Sequence, residues 1–171
     1  IAAVHHQGAV LIAQLMHAGA LSQYNHFSKP SIAPSAVQPK GEQMPAYHGE
    51  GAYKLPQAMT EQNIEEAVQG FVDAALRAKK AGFAGVEIHG ANGYLLDQFL
   101  TEYTNQREDS YGGSLDNRLR IYQQILTAVR ESVGESFIVG VRFSQKKVND
   151  SQYVWAGGEE AAKNTFAMIK E

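Results

Sequence analysis

The sequence predicts an α/β fold built from parallel βα units. Three short apolar runs, bounded by glycine or polar residues, alternate with three longer segments in which apolar residues recur at spacings of three and four. Those are the patterns of buried strands and amphipathic helices. Enough chain separates successive runs for a helical crossover, so the strands are expected to lie parallel. Polar and ionisable residues also collect just after each run, at the end of the strands where such folds place their sites.

The opening IAAVHHQG reads as the last turn of a helix stopped at Gly8. Ala9 to Leu15 (AVLIAQL) is the first apolar run and is predicted to be a buried strand. From Gln23 to Met59, prolines at 30, 34, 39, 45 and 56 interrupt a segment with no sustained periodicity. It reads as one long loop, and loops of that length in compact domains are functional lids or disordered. Thr60 with Asn63 forms an imperfect capping box for a helix that carries Ile64, Val68, Phe71, Val72, Ala75, Leu76 and Ala78 on one face. That helix should stop at Gly82, and Phe83 to Gly90 follows as the second strand. A further helix is predicted over Leu115 to Val133, with Leu119, Ile121, Tyr122, Ile125, Leu126 and Val129 inward and Gly134 as its stop. Phe137 to Ser144 makes the third strand, and a last helix starts near Gly158 or Glu159. Three units give a small open sheet, because closing an eight-stranded barrel takes about 250 residues. The chain starts at Ile1 without methionine and stops at Glu171 within a helix, so a single domain over 1–171, truncated at both ends, is expected.

Composition narrows the function. A net charge of −3 leaves no excess of Lys or Arg to neutralise phosphates, which argues against nucleic acid or an anionic membrane as partner. No window reaches the roughly 18 consecutive apolar residues of a membrane span, and the expectation is a soluble cytoplasmic protein. The absence of cysteine removes a disulfide frame, a thiolate nucleophile and cysteine-bound metal from these residues. His5, His6, His26 and His48 lack metal-ligand spacing such as HExxH, so no metal is expected.

Gln14 ends the first run with Met16 and His17 just beyond it; His89 ends the second, followed by Asn92 and Tyr94; Arg142 ends the third. Singly, a strand-end histidine is more often structural and an arginine more often paired to a carboxylate. Together they bring hydrogen-bonding groups from separate strands to one end. His89 and Asn92 offer neutral donors spaced to grip one oxygen, and Tyr94 a phenol of reference pKa about 10. Such a set suits polarising a carbonyl or nitro group while a proton reaches a neighbouring carbon.

EIHGANGYLLDQFL (Glu87 to Leu100) and TNQREDSYGGSLDNRLR (Thr104 to Arg120) resemble the signature of the old yellow enzyme family of NAD(P)H:flavin oxidoreductases. AQLMHAG (Ala13 to Gly19), AMTEQNI (Ala58 to Ile64) and VGVRFS (Val139 to Ser144) match in the same order. The resemblance implies a partial (β/α)8 TIM barrel, roughly strands three to five, with 23–59 as a long active-site loop. It implies FMN and NAD(P)H as cofactors and an electrophilic alkene or quinone-like acceptor as small-molecule partner, and leaves homo-oligomerisation open.

By motif position, Gln14 would bind the pyrimidine edge of FMN and Arg142 would lie near flavin N1, where a fixed cation favours reduced flavin. His89 and Asn92 would bind the acceptor oxygen, Tyr94 would protonate the α-carbon, and Met16 would line the substrate pocket or pack in the core. Bacterial members often carry histidine at the position of Asn92. The family's HAGR is HAGA here, with Ala20 at the arginine position. Asn105, Arg107, Asp109 and Arg118 are expected to hold the loop after the second strand, with Gly112 and Gly113 in its turn. A chain limited to these units is expected to hold flavin poorly and to expose unpaired sheet edges, so the alternative is a non-catalytic barrel fragment that self-associates through them.

Overall fold

The computed structural model describes residues 1–23, 29–155 and 158–170. His26 and the other residues at 24–28 lie outside that set. In order, the elements are α1 (Ala2–His6), β1 (Ile12–Leu15), β2 (Ile32–Ala33), β3 (Gln57–Ala58), α2 (Glu61–Lys80), β4 (Gly85–His89), α3 (Leu95–Leu100), α4 (Leu115–Val133), β5 (Ile138–Arg142) and α5 (Gly158–Lys170). Single 3₁₀ turns occupy Gly19–Leu21 and Pro45–Tyr47.

The main sheet has three parallel strands in the order β1-β4-β5. Gln14 stands beside Glu87 and Glu87 beside Gly140, while His89 pairs with Arg142. Because side chains alternate along a strand, this register sorts the sheet into two faces. Val86 and Ile88 of β4 are fully buried, and Ala13, Leu15, Val139 and Val141 of the flanking strands pack on the same core. On the opposite face stand Ile12, Gln14, Glu87, His89, Ile138 and Arg142.

Helices α2 and α4 cover the first face. Thr60 starts α2 with both halves of the capping box: its hydroxyl accepts from the Asn63 N–H at 3.2 Å, and the Asn63 side chain accepts from the Thr60 N–H at 3.1 Å. Ile64, Phe71, Val72, Ala75 and Ala78 face the sheet, as the spacing predicts; Leu76 turns to solvent and Ala67 takes an inward position instead. Helix α4 runs over the predicted Leu115–Val133 and buries Leu119, Ile121, Tyr122, Ile125, Val129 and Val133. Each such side chain contributes about 1.5–3 kcal/mol of transfer free energy on full burial. Tyr122 also donates to the Gly90 carbonyl at 2.9 Å, so its hydroxyl is satisfied inside the core.

The structure departs from the sequence reading in three further places. The first strand is shorter than Ala9 to Leu15 and is half exposed rather than buried, because it is an edge strand whose pairing to β4 begins at Ile12↔Gly85. The segment 23–59 is not featureless: β2 and β3 pair in parallel, Ile32 with Gln57 and Ala33 with Ala58. Helix α3 was not anticipated. Its six residues are all buried, so LLDQFL has no polar face to set a period. Among the described residues no helix is long and apolar enough to cross a membrane, and no cluster of His, Asp or Glu could hold a metal ion.

Candidate active site

The groups at the C-terminal strand ends are set by short backbone loops tied to one another. His17 and His89 use the same local device: each ring nitrogen Nδ1 accepts a backbone N–H two residues on, from Gly19 at 3.0 Å and from Ala91 at 3.2 Å. Nδ1 is therefore the acceptor and Nε2 carries the proton in the neutral ring. Burial lowers the pKa of both, and for His89 the adjacent Arg142 guanidinium lowers it further against the opposing pull of Glu87 and Asp97. His89 thus stands as a neutral Nε2–H donor, with no partner for that nitrogen among the described residues.

After β4 the chain makes a tight turn. Asn92 and Gly93 are both left-handed, at φ 63° and 88°. Asparagine tolerates that region, and a side chain at Gly93 would also meet Asn149 Oδ1 at 2.8 Å, so glycine is required. Asn92 donates its N–H to Ser144 Oγ at 2.8 Å and accepts from the Val148 N–H at 3.0 Å, which ties the turn to the segment after β5. Its side-chain amide has no hydrogen bond among the described residues. Tyr94 lies edge-on to the His89 ring, with centroids 5.1 Å apart and planes at 77°. The Tyr94 hydroxyl also has no hydrogen-bond partner among the described residues. The structure thus brings His89 and Tyr94 into contact and sets Asn92 on the turn between them.

The two other predicted positions flank this corner. Arg142 sits beside His89 in register, exposed; its carbonyl accepts from the Gly90 N–H at 2.9 Å, and its guanidinium has no hydrogen bond among the described residues. Arg107, Arg118, Arg120 and Arg130 are hydrogen-bonded to protein groups, while Arg77 on the exposed side of α2 shares with Arg142 a guanidinium without a hydrogen bond among the described residues. Gln14 donates to Glu87 Oε1 at 2.6 Å and keeps its amide oxygen and one N–H available. Met16 is 49% exposed, so core packing does not account for it. Ala20 is buried and its N–H donates to Gln98 Oε1 at 3.1 Å; no cation stands at that position.

Several site-supporting residues carried no sequence signal. Asp97 and Lys147 form an ion pair at 2.8 Å, with side chains 0% and 2% exposed. Asp97 also accepts from the Gly93 N–H at 2.6 Å and, at 3.3 Å, from the Thr101 hydroxyl. Burial pushes the Asp97 pKa up and the Lys147 pKa down, each opposed by its partner's charge. Gln98 donates to the Gly93 carbonyl at 2.7 Å and so links the turns after β1 and β4. Tyr53, from the loop between β2 and β3, is buried and lies close enough to Tyr94 that this neighbour adds to burial in raising its pKa. Glu87 could have been read from the sequence, since it stands two positions before His89 on the same face of one strand.

The loop after α3 is held as expected. Asn105 donates to the carbonyls of Phe99 and Tyr111, both at 2.7 Å. Arg107 pairs with Asp109, which lowers the Asp109 pKa, and reaches the carbonyls of Pro34 at 2.9 Å and Met59 at 2.6 Å. A Cβ on Gly112 would collide with the Arg107 carbonyl. Arg118 holds the two ends of the same loop, pairing with Glu102 at 3.0 Å and donating to the Gly113 carbonyl at 2.9 Å.

A parallel sheet covered by helices on one face and bare on the other, with donors gathered at its C-terminal strand ends, is the arrangement of a segment of a (β/α) barrel. The whole chain, residues 1–171, matches the NADH:flavin oxidoreductase / NADH oxidase family model, and the chain belongs to that family, the old yellow enzyme group. It is 44% identical over 127 residues to an NADPH dehydrogenase of Halalkalibacterium halodurans, a match covering 74% of this chain and 33% of that protein. The old yellow enzyme homologue of Zymomonas mobilis superposes with a TM-score of 0.87 at 34% identity, over 98% of this chain and 46% of that one. Morphinone reductase in complex with tetrahydroNAD superposes at 0.78 with 34% identity, over 90% of this chain and 45% of that one. The chain therefore spans between a third and a half of the length of these relatives.

Proposed function

We propose that these residues form the acceptor-binding part of an FMN-dependent NAD(P)H oxidoreductase that reduces activated alkenes such as enones, enals and nitroalkenes. The observation that carries this reading is the corner at the end of β4. There the His89 Nε2–H, the Asn92 amide and the Tyr94 hydroxyl have no hydrogen-bond partner among the described residues, and the His89 and Tyr94 rings meet edge-on with centroids 5.1 Å apart. Polar groups inside folded proteins are mostly paired, so three unspent ones gathered in one place favour a ligand.

In this reading His89 and Asn92 bind the acceptor oxygen and draw charge onto it, which makes the β-carbon electrophilic. Tyr94 gives its phenolic proton to the α-carbon. Met16 lines the pocket. The bare face offers a donor set that fits a flavin: Gln14 on β1, with an amide oxygen and one N–H unused among the described residues, for the pyrimidine edge, and on β5 the Arg142 guanidinium, without a hydrogen bond among those residues. When bound there, FMN would supply the hydride, with NAD(P)H as its source. The phosphate contacts would come from outside these residues.

Replacing Tyr94 by Phe in the full-length enzyme tests the assignment. Flavin reduction by NADPH should stay within about twofold, while the enone step should slow by roughly a hundredfold or more. Equal losses in both steps would remove Tyr94 as the proton donor. Replacing His89 by Ala should weaken binding of a phenolic ligand, and unchanged affinity would take His89 out of the site.

A second reading applies to the 171 residues alone. Among the described residues both outer strands of the sheet have an unpaired edge, and Ile12 and Ile138 stand 41% and 51% exposed on the bare face. Such a sheet favours self-association without flavin. Visible absorbance and sedimentation of the purified chain separate the two: a flavin band with monomeric protein supports the first, colourless oligomers the second.

A further inference from the structure

The buried Asp97–Lys147 pair lies behind the Asn92–Gly93–Tyr94 turn, outside the groups that would touch an acceptor. Resting on the reading of Tyr94 as the proton donor, we propose that Lys147 is a positioning residue: through Asp97 it fixes the turn that places Asn92 and Tyr94. The argument is one of connectivity. Tyr94 caps α3 without a side-chain capping bond, so its ring is placed by its backbone and by the edge contact with His89. That backbone is held from below by Asp97 Oδ2 on the Gly93 N–H at 2.6 Å, and the other oxygen of the same carboxylate holds Lys147 Nζ at 2.8 Å.

Lys147 belongs to the segment after β5, and the same segment reaches the turn directly. Ser144 accepts from the Asn92 N–H, Val148 donates to the Asn92 carbonyl, and Lys147 itself bridges to Asn92 in the backbone. Lys147 Nζ also lies 4.5 Å from the Tyr153 ring centre, which adds a cation–π contact further along the segment. The segment after β5 thus sets the turn after β4, and the buried pair is its central pin. Burying two charges where apolar side chains would pack as well gives little stability, and ion pairs of this kind are best attested as devices that fix one arrangement.

The test uses the flavin-loaded full-length enzyme with variants K147M and D97N/K147M, and Y94F as the reference. Flavin reduction by NADPH, reoxidation by 2-cyclohexenone and amide exchange at residues 92–95 are measured on each. In K147M, flavin reduction should stay within about twofold, reoxidation should slow about ten- to a hundredfold, and exchange at Gly93 and Tyr94 should accelerate. K147M leaves Asp97 alone in the core and can fail to fold; the double variant removes both charges and keeps an oxygen for the Gly93 N–H. It should fold and show the same split between the two steps. A folded double variant with wild-type reoxidation and wild-type exchange overturns the proposal, as does an equal loss in both steps. Should Y94F itself slow both steps alike, the proton-donor reading falls and amide exchange alone decides whether Lys147 pins the turn. If Y94F slows only reoxidation while the lysine variants change nothing, the positioning proposal fails by itself.

Discussion

The two faces of the three-stranded sheet differ in what finishes them. On one, Val86 and Ile88 are fully buried under α2 and α4, and even the Tyr122 hydroxyl has its partner within the chain. On the other, the same strands present Ile12, Gln14, Ile138 and Arg142 to the outside, and the Arg142 guanidinium has no hydrogen bond among the described residues. One face is a core; the other is half of an interior. The corner at His89 and Tyr94 sits where they meet: its backbone is held by the finished part, and its free side-chain groups open onto the unfinished one. In the proposed reading these residues would orient an acceptor from their own packing, while the flavin face would need further strands to enclose it.

Substitutions that strike one face and spare the other measure this difference. The largest effect is expected for Ile88→Ala on the covered face, a loss of about 2–5 kcal/mol in urea unfolding. A loss under 1 kcal/mol would mean that this face too is loosely packed. Next comes Arg107→Ala, which releases the carbonyls of Pro34 and Met59 and the Asp109 carboxylate. It should cost about 1.5–3 kcal/mol and speed proteolysis within residues 34–58; an unchanged cleavage rate would show that the loop is held elsewhere.

A smaller effect follows from the histidines. Folding lowers the pKa of His17 and His89 from the ordinary value of 6.5, so the unfolded chain takes up protons more readily than the native one. Their contribution is complete above pH 6.5 and is lost as the pH falls below it toward the folded values. The thermal midpoint should drop between about pH 7.5 and pH 5, and His17→Gln should flatten that drop; a steeper slope in the variant would reverse the assignment. The smallest effect is expected for Ile12→Ala on the bare face, within about 0.5 kcal/mol in the 171-residue chain. In the full-length protein, where added strands would bury it, the same change should cost about 2–5 kcal/mol.

Legibility in the sequence follows the same division. Where a segment meets both core and solvent, its pattern is plain: α4 runs over the predicted Leu115–Val133, and Thr60 with Asn63 caps α2 as their spacing implies. Where a segment is buried all round, as in α3, no period survives to be read. The strand-end residues Gln14, His89, Asn92, Tyr94 and Arg142 could be picked out because polar side chains at the ends of apolar runs are conspicuous. Lys147 could not: a lysine in a polar stretch reads as solvated, and its burial depends on Asp97, 50 residues away. Nor could the hydrogen bond between Gln14 and Glu87 be read, since only the strand register sets the two side by side.

That register has a consequence in time. Gln14 meets Glu87 across 73 residues, and the Asn92 N–H meets Ser144 across 52. Neither contact forms early, since the entropy of closing such loops is lost before the contact rewards it. The helices α2 and α4 can form locally and dock on β4 first, with β1 and β5 arriving afterwards as the slow step. Refolding should therefore run in milliseconds to seconds rather than microseconds. The turn bearing Tyr94 would be among the last parts to settle, because it waits for the segment after β5.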